Sequence, residues 1–179
     1  MPLATVKARV IGNKLRIFRE GDAFTLPTSG TAGQESKPGS SDTGWIDVGD
    51  VLEFGVNPQR ETREVWGPSP GQLKLKDIIE TKRRLTLSLT LQDLGPFAIE
   101  LLFGSAALDA TSTNYTPLSA GEKRAWVEIK QRDNTDTLVN TVTVFCALKV
   151  SGEVKFNDQL ASVPVEAEVL YSSLATGVL

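Results

Sequence analysis

The chain has 179 residues, of which 40% are hydrophobic and 23% charged, and a formal net charge of -3. That balance suits one globular domain with a substantial core and excludes a whole-molecule basic field for gripping nucleic acid. Histidine is absent and Cys146 is the single cysteine, which removes Ser-His and Cys-His nucleophile pairs, an intrachain disulfide and a cysteine cluster for zinc.

Residues 1–20 lack the apolar core of a signal peptide, and no apolar run reaches the roughly 18 residues of a membrane span. The expectation is a protein made soluble inside a cell, with no membrane partner. Thr5–Ile11 and Lys14–Glu20 flank Gly12-Asn13, a pair suited to a tight turn, and predict a β-hairpin. Lys7, Arg9, Lys14, Arg16 and Arg19 crowd this start, whereas Asp42, Asp47, Asp50 and Glu53 follow the first loop, so opposite ends of one subunit could attract another copy. That loop, Pro27–Gly44 (PTSGTAGQESKPGSSDTG), consists almost wholly of small, polar and helix-breaking residues. It is expected to be long and flexible, either a mobile surface insertion or a segment that orders in an assembly. Trp45–Val56 resumes a strand pattern with Gly49 at a bulge or bend, and Asn57-Pro58 is expected to break it. Gln59–Trp66 mixes Arg60, Glu61, Arg63 and Glu64 and predicts a ribbon exposed on both sides; Gly67–Gly71 predicts a turn.

Lys82–Gly104 holds the clearest pattern. Leu85, Leu87, Leu89 and Leu91 alternate with Thr86, Ser88 and Thr90, the period of a strand with one buried face. At Gly95-Pro96 the period changes: Leu94, Phe97, Ala98, Leu101 and Leu102 fall three and four residues apart, predicting a short helix with Gly95 as N-cap, Pro96 at its first position and Gly104 past its end. Residues 105–121 read as a second long connection. Ala125, Val127 and Ile129 then alternate with Trp126, Glu128 and Lys130, and Arg132–Asp136 supplies a hairpin turn. Val142–Phe156 keeps one parity across Ser151-Gly152 and predicts a single long strand, turned back at Asn157-Asp158. Val163–Tyr171 is the last strand, with Pro164 expected to place its start at a sheet edge. Together these elements predict an α+β fold that is mainly β: a single domain over 1–179, an antiparallel β-sandwich or open barrel with one flanking α-helix.

Chemistry is sparse. No phosphate-binding glycine loop is present. Carboxylates acting alone would need a pair such as Asp47 with Asp50 or Glu166 with Glu168, but a two-residue interval on a strand is what any solvated face gives. No catalytic, cofactor or metal site is expected, and an interaction or structural protein is favoured by elimination.

The order of features in Trp45–Gly104 resembles the tail tube, or major tail, proteins of long-tailed bacteriophages. The likeness lies in DVLEFGVNPQ, the charged ribbon RETREVWG, a Gly-Pro turn, LKLKDIIETKRR, and above all LTLSLTLQDLGPFAIELLFG, where an alternating strand passes into a short helix. The resemblance implies a structural virion protein with no enzymatic activity, assembled in the host cytoplasm into hexameric rings that stack as a hollow tail tube for DNA delivery. It implies as partners other copies of itself and other tail proteins such as tape measure, tail tip and terminator, with DNA only in transit. Under it, Pro27, Gly30, Gly33, Lys37, Pro38 and Gly44 belong to a loop reaching an adjacent ring. Asp47, Asp50, Glu153, Glu166 and Glu168 are candidates for an electronegative lumen along which DNA slides. Arg16, Arg19, Arg60 and Arg63 are candidates for contacts with acidic residues of a neighbour. The alternative from another class is a monomeric β-sandwich binding module for carbohydrate or a virion surface, which would need Trp45, Trp66, Trp126 and Tyr115 to converge.

Overall fold

A computed structural model describes residues 12–25, 29–91, 95–103, 122–154 and 162–176. Its fold is mainly β with one short helix. The elements are β1 (Gly12–Arg19), β2 (Ala23–Phe24), β3 (Gly30–Thr31), β4 (Ile46–Ser69), β5 (Gln72–Leu91), α1 (Pro96–Phe103), β6 (Lys123–Arg132), β7 (Leu138–Val150) and β8 (Val163–Leu170). All pairings are antiparallel. Six strands form a closed barrel in the order β1-β4-β5-β8-β7-β6, with β1 pairing both β4 and β6, while β2 and β3 make a separate two-stranded sheet.

The alternating leucines form the barrel's inner wall. Leu87, Leu89 and Leu91 lie opposite Ala167, Val165 and Val163, and these join Leu15, Ile17, Val127, Ile129, Val144, Cys146 and Leu148 in one buried cluster. Helix α1 begins at Pro96, as its ring geometry favours, and adds Phe97, Ala98 and Leu101 to that cluster. Each leucine, isoleucine, valine or phenylalanine among them contributes about 1.5–3 kcal/mol by leaving water. A second, smaller core lies on the other face of the same strands. Phe18, Trp126 and Phe145 are fully buried there beneath Phe24 and Ala32.

Several expectations are corrected by the pairing. The sandwich or open barrel is a closed barrel, because β1 finds partners on both sides. Gly12-Asn13 is no turn: both residues pair with Arg132 and Gln131 of β6, and tertiary pairing overrides the local preference. Asn57-Pro58 does not break β4, since Pro58 pairs with Leu85 while β1 accompanies β4 only over Ile46–Asp50. At Pro58 the other edge of β4 has no neighbour among the described residues, so a missing N–H costs the ladder nothing there. The predicted Gly67–Gly71 turn narrows to Pro70-Gly71, with Gly71 at φ +78, the arrangement a type II turn takes from Pro-Gly. Strand β7 stops at Val150 instead of running on to Phe156. The last link is Ser151 N–H donating to the Pro164 carbonyl, and Pro164 has no N–H with which to continue. Nor is Pro164 at a sheet edge, for β8 lies between β5 and β7. The expectations for Thr5–Ile11, Leu94, Gly104, residues 105–121 and Phe156–Asp158 lie outside the described residues.

Candidate functional site

Two features stand out from the barrel. The first is an arm. β4 and β5 stay paired from Val51↔Leu91 to Ser69↔Gln72, but β8 accompanies β5 only from Thr86 onward. Past Pro58 and Leu85 the two strands therefore run on alone as a hairpin whose residues are almost all exposed. The ribbon expected over Gln59–Trp66 is its β4 half. Both outer edges present backbone N–H and C=O groups that no described strand takes up, which is the arrangement by which sheets recruit a further strand. Register shifts next to Thr81 and Lys76 each insert one extra residue into β5, and such bulges add twist.

Along β4, Val56, Pro58, Arg60, Thr62, Glu64, Trp66 and Pro68 share one face, and their β5 partners lie on it too. That face continues the barrel's inner wall. It carries an apolar strip of Val56, Trp66, Leu73, Leu75 and Ile78, each between 43% and 67% exposed. Ion pairs brace the arm's root: Lys82 to Glu61 at 2.8 Å, Arg83 to Glu80 at 2.9 Å, and Arg84 to Glu168. The alternation of Leu73 and Leu75 with Lys74 and Lys76 in the sequence carried a signal for this strip. Its continuation through Trp66 and Ile78 depends on the register and two bulges.

The second feature is the segment from Gly21 to Trp45, which covers the outer aromatic core. The structureless loop expected at 27–44 is, over its described residues, a folded cover. The Trp126 indole N–H donates to the Gly33 carbonyl at 2.7 Å and to that of Ser36 at 3.1 Å. Asp42 accepts from the Thr25 and Gly44 N–H groups, the Trp45 indole N–H donates to the Gly39 carbonyl, and Glu35 accepts from Ser173. Small residues make this close fit possible: a Cβ on Gly44 would come 2.5 Å from the Phe18 ring. Composition misled because the covering segment supplies few apolar groups of its own, and the barrel beneath supplies the rest. Of its candidate residues, Gly30 is in β3, Gly33 takes part in a tight turn, Lys37 lies 5.8 Å over the Trp126 ring and Pro38 is buried. Pro27 is outside the described residues.

Beneath this cover lies a buried carboxylate that the alternation of β6 does not mark out. Glu128 faces outward from β6, yet its side chain is 5% exposed. It accepts two bonds from Arg16, at 2.6 and 2.9 Å, and pairs with Lys130 at 3.2 Å. Burial alone would raise its carboxyl pKa, but the hydrogen bonds and charges of Arg16 and Lys130 outweigh that and hold it below the ordinary range. Arg16 also donates to the Ser40 carbonyl and stacks 4.5 Å from the Trp45 ring. Lys37 is shifted down by its own burial, against the attraction of Glu128.

The remaining candidates separate. Arg16 and Arg19 are engaged within the subunit, the latter with Glu100 at 2.9 Å and Asp22 at 3.1 Å; the bonds they make here leave little for a neighbour. Arg60 and Arg63 are on the arm, Arg60 3.7 Å from Glu80. The acidic candidates do not form one patch. Glu166 and Glu168 project from β8 toward Lys149 and Arg84, whereas Asp47 and Asp50 lie opposite Arg16 and Lys14 at the end of the barrel away from the arm, and Glu153 follows the end of β7. The tryptophans do not converge either: Trp126 is buried, Trp45 is tied into the cover and Trp66 is out on the arm, while Tyr115 lies outside the described residues. Burial pushes the Cys146 thiol pKa up, which leaves it an inert core residue. Among the described residues no group of three or more acidic or cysteine side chains is placed to hold a metal ion, and no helix is long and apolar enough to cross a membrane. The chain matches no known family model and no curated protein.

Proposed function

We propose that this chain is a structural subunit that self-assembles into stacked rings, forming the tail tube of a long-tailed phage through which DNA is delivered. The observation that carries this reading is the β4–β5 arm. A barrel closed by its own strands has satisfied its core and its edges, yet it extends a hairpin whose two outer edges pair with no described strand and one of whose faces is apolar. Such an arm is a liability for a solitary protein and an asset for one that pairs with copies of itself. Localisation to a virion tail follows from the same reading. Within it, Asp47, Asp50, Glu153, Glu166 and Glu168 are the candidates for an electronegative lumen, Glu166 and Glu168 each beside a cation of the same subunit.

The test is sedimentation velocity across a concentration series, with electron microscopy of the same samples. Rings or tubes that accumulate with concentration are the expected result. A monodisperse monomer at every concentration and salt condition would overturn the reading and favour a monomeric binding module.

A further inference from the structure

The mouth of the barrel where the arm departs is itself a recess. β5 and β8 part company beyond Thr86↔Glu168, β5 into the arm and β8 alongside β7. Between them lies a cavity of about 390 Å³ lined by Arg83, Leu85, Val169 and Tyr171. Its chemistry is an apolar floor, an aromatic wall that is 71% exposed at Tyr171, and a guanidinium at the rim. On the same face of the arm, Trp66 is 54% exposed and its indole N–H donates to Glu64 at 3.0 Å. Trp66 and Glu64 thus present an indole with a carboxylate beside it, the complement of an apolar recess with an arginine at its rim.

The two halves cannot meet within one chain. Trp66 lies about 26 Å beyond Pro58, the residue opposite Leu85, at roughly 3.3 Å per residue. We infer that Trp66 of one copy docks in the Leu85–Val169–Tyr171 recess of the next, with Glu64 meeting Arg83. This deepens, and rests on, the self-assembly proposed above. The Arg83–Glu80 pair at the recess is surface-exposed, and exposed pairs of this kind hold too weakly to block an exchange of partner. The contact is heterologous, knob on one surface and recess on another, and such contacts propagate into a ring when the rotation closes. Tryptophan is also among the residue types enriched at interface hot spots, which sit in desolvated pockets.

The experiment pairs assembly with proximity. Trp66→Ala should raise the protein concentration needed for assembly by roughly 30-fold, the loss expected of an aromatic anchor. Separately, Leu73→Cys, on the same face of the arm, and Tyr171→Cys are prepared as single variants, mixed, and treated with a short bismaleimide. Buried Cys146 stays unreacted. Covalent dimers in the mixture and not in either variant alone support the docking. If the wild-type protein assembles but Trp66→Ala assembles at the same concentration and the mixture gives no dimer, the docking is overturned while self-assembly stands. If the wild-type protein never assembles and the mixture gives no dimer, both fall.

Discussion

Glu128 and the two most contrasting tryptophans show how position decides what a residue type does. Glu128 is held below its ordinary carboxyl range by Arg16 and Lys130. A carboxylate so depressed stabilises the fold above its unfolded pKa, near 4.5, and that contribution is lost as pH falls through the lower folded value. Glu128→Gln should therefore cost about 1.5–3 kcal/mol at neutral pH, the range for hydrogen bonds to charged groups, and should narrow its deficit against wild type in acid. Urea unfolding at neutral pH and below about pH 4 checks this; a deficit that stayed constant would show that the charge is immaterial. Trp126→Ala should cost about 3–5 kcal/mol because it empties a fully buried site and removes two bonds to the cover. Trp66→Ala should change the stability of the isolated subunit by about 0.5 kcal/mol or less, as an exposed position. Thermal or urea unfolding of dilute protein separates the two, and equal losses would show that the arm packs onto the barrel in solution.

The cover and the arm differ in what the barrel owes them. Deleting Gly30–Ser41 would strip Trp126 of its carbonyl partners and uncover Phe18 and Phe145, so the deletion protein should be strongly destabilised or aggregate. A protein with wild-type melting after that deletion would show the segment to be a passive insertion. Replacing Thr62–Thr81 with Asn-Gly should do the opposite. It leaves Glu61↔Lys82 as the closing pair of a short hairpin, removes no buried apolar core residue, and should keep the melting temperature while abolishing assembly. The elements were legible in proportion to how local their causes are. Leu85–Leu91 and Phe97–Leu101 fill a core by period alone, so strand and helix could be read directly. The continuity of β4 through Pro58 could not, because it depends on which neighbour is missing on one side. The cover's order could not either, since its ordering partners, Trp126 and Arg16, are distant in the chain. The ribbon at Gln59–Trp66 was visible from its mixed charges, but the apolar strip on one of its faces required the cross-strand register.

At the scale of the whole molecule, a closed barrel with a filled interior should be a stable monomer, so the proposed assembly would have to be driven by surface held outside the barrel. The arm offers two kinds of driving force. Its backbone edges and apolar strip favour association through desolvation, while Arg60, Arg63, Glu64, Lys74 and Lys76 add charges of both signs. Salt separates these contributions. Charge pairs at an exposed interface are largely screened at about 1 M sodium chloride, where the Debye length is about 3 Å, whereas excluded salts such as sulfate strengthen apolar burial and warming does the same near room temperature. With Trp66, Leu73, Leu75 and Ile78 as the contact, light scattering should show assembly that survives sodium chloride, increases with sulfate and increases on warming from the cold. Dissolution by sodium chloride, with no gain in sulfate, would instead assign the contact to the charged residues of the ribbon and take Trp66 out of its centre.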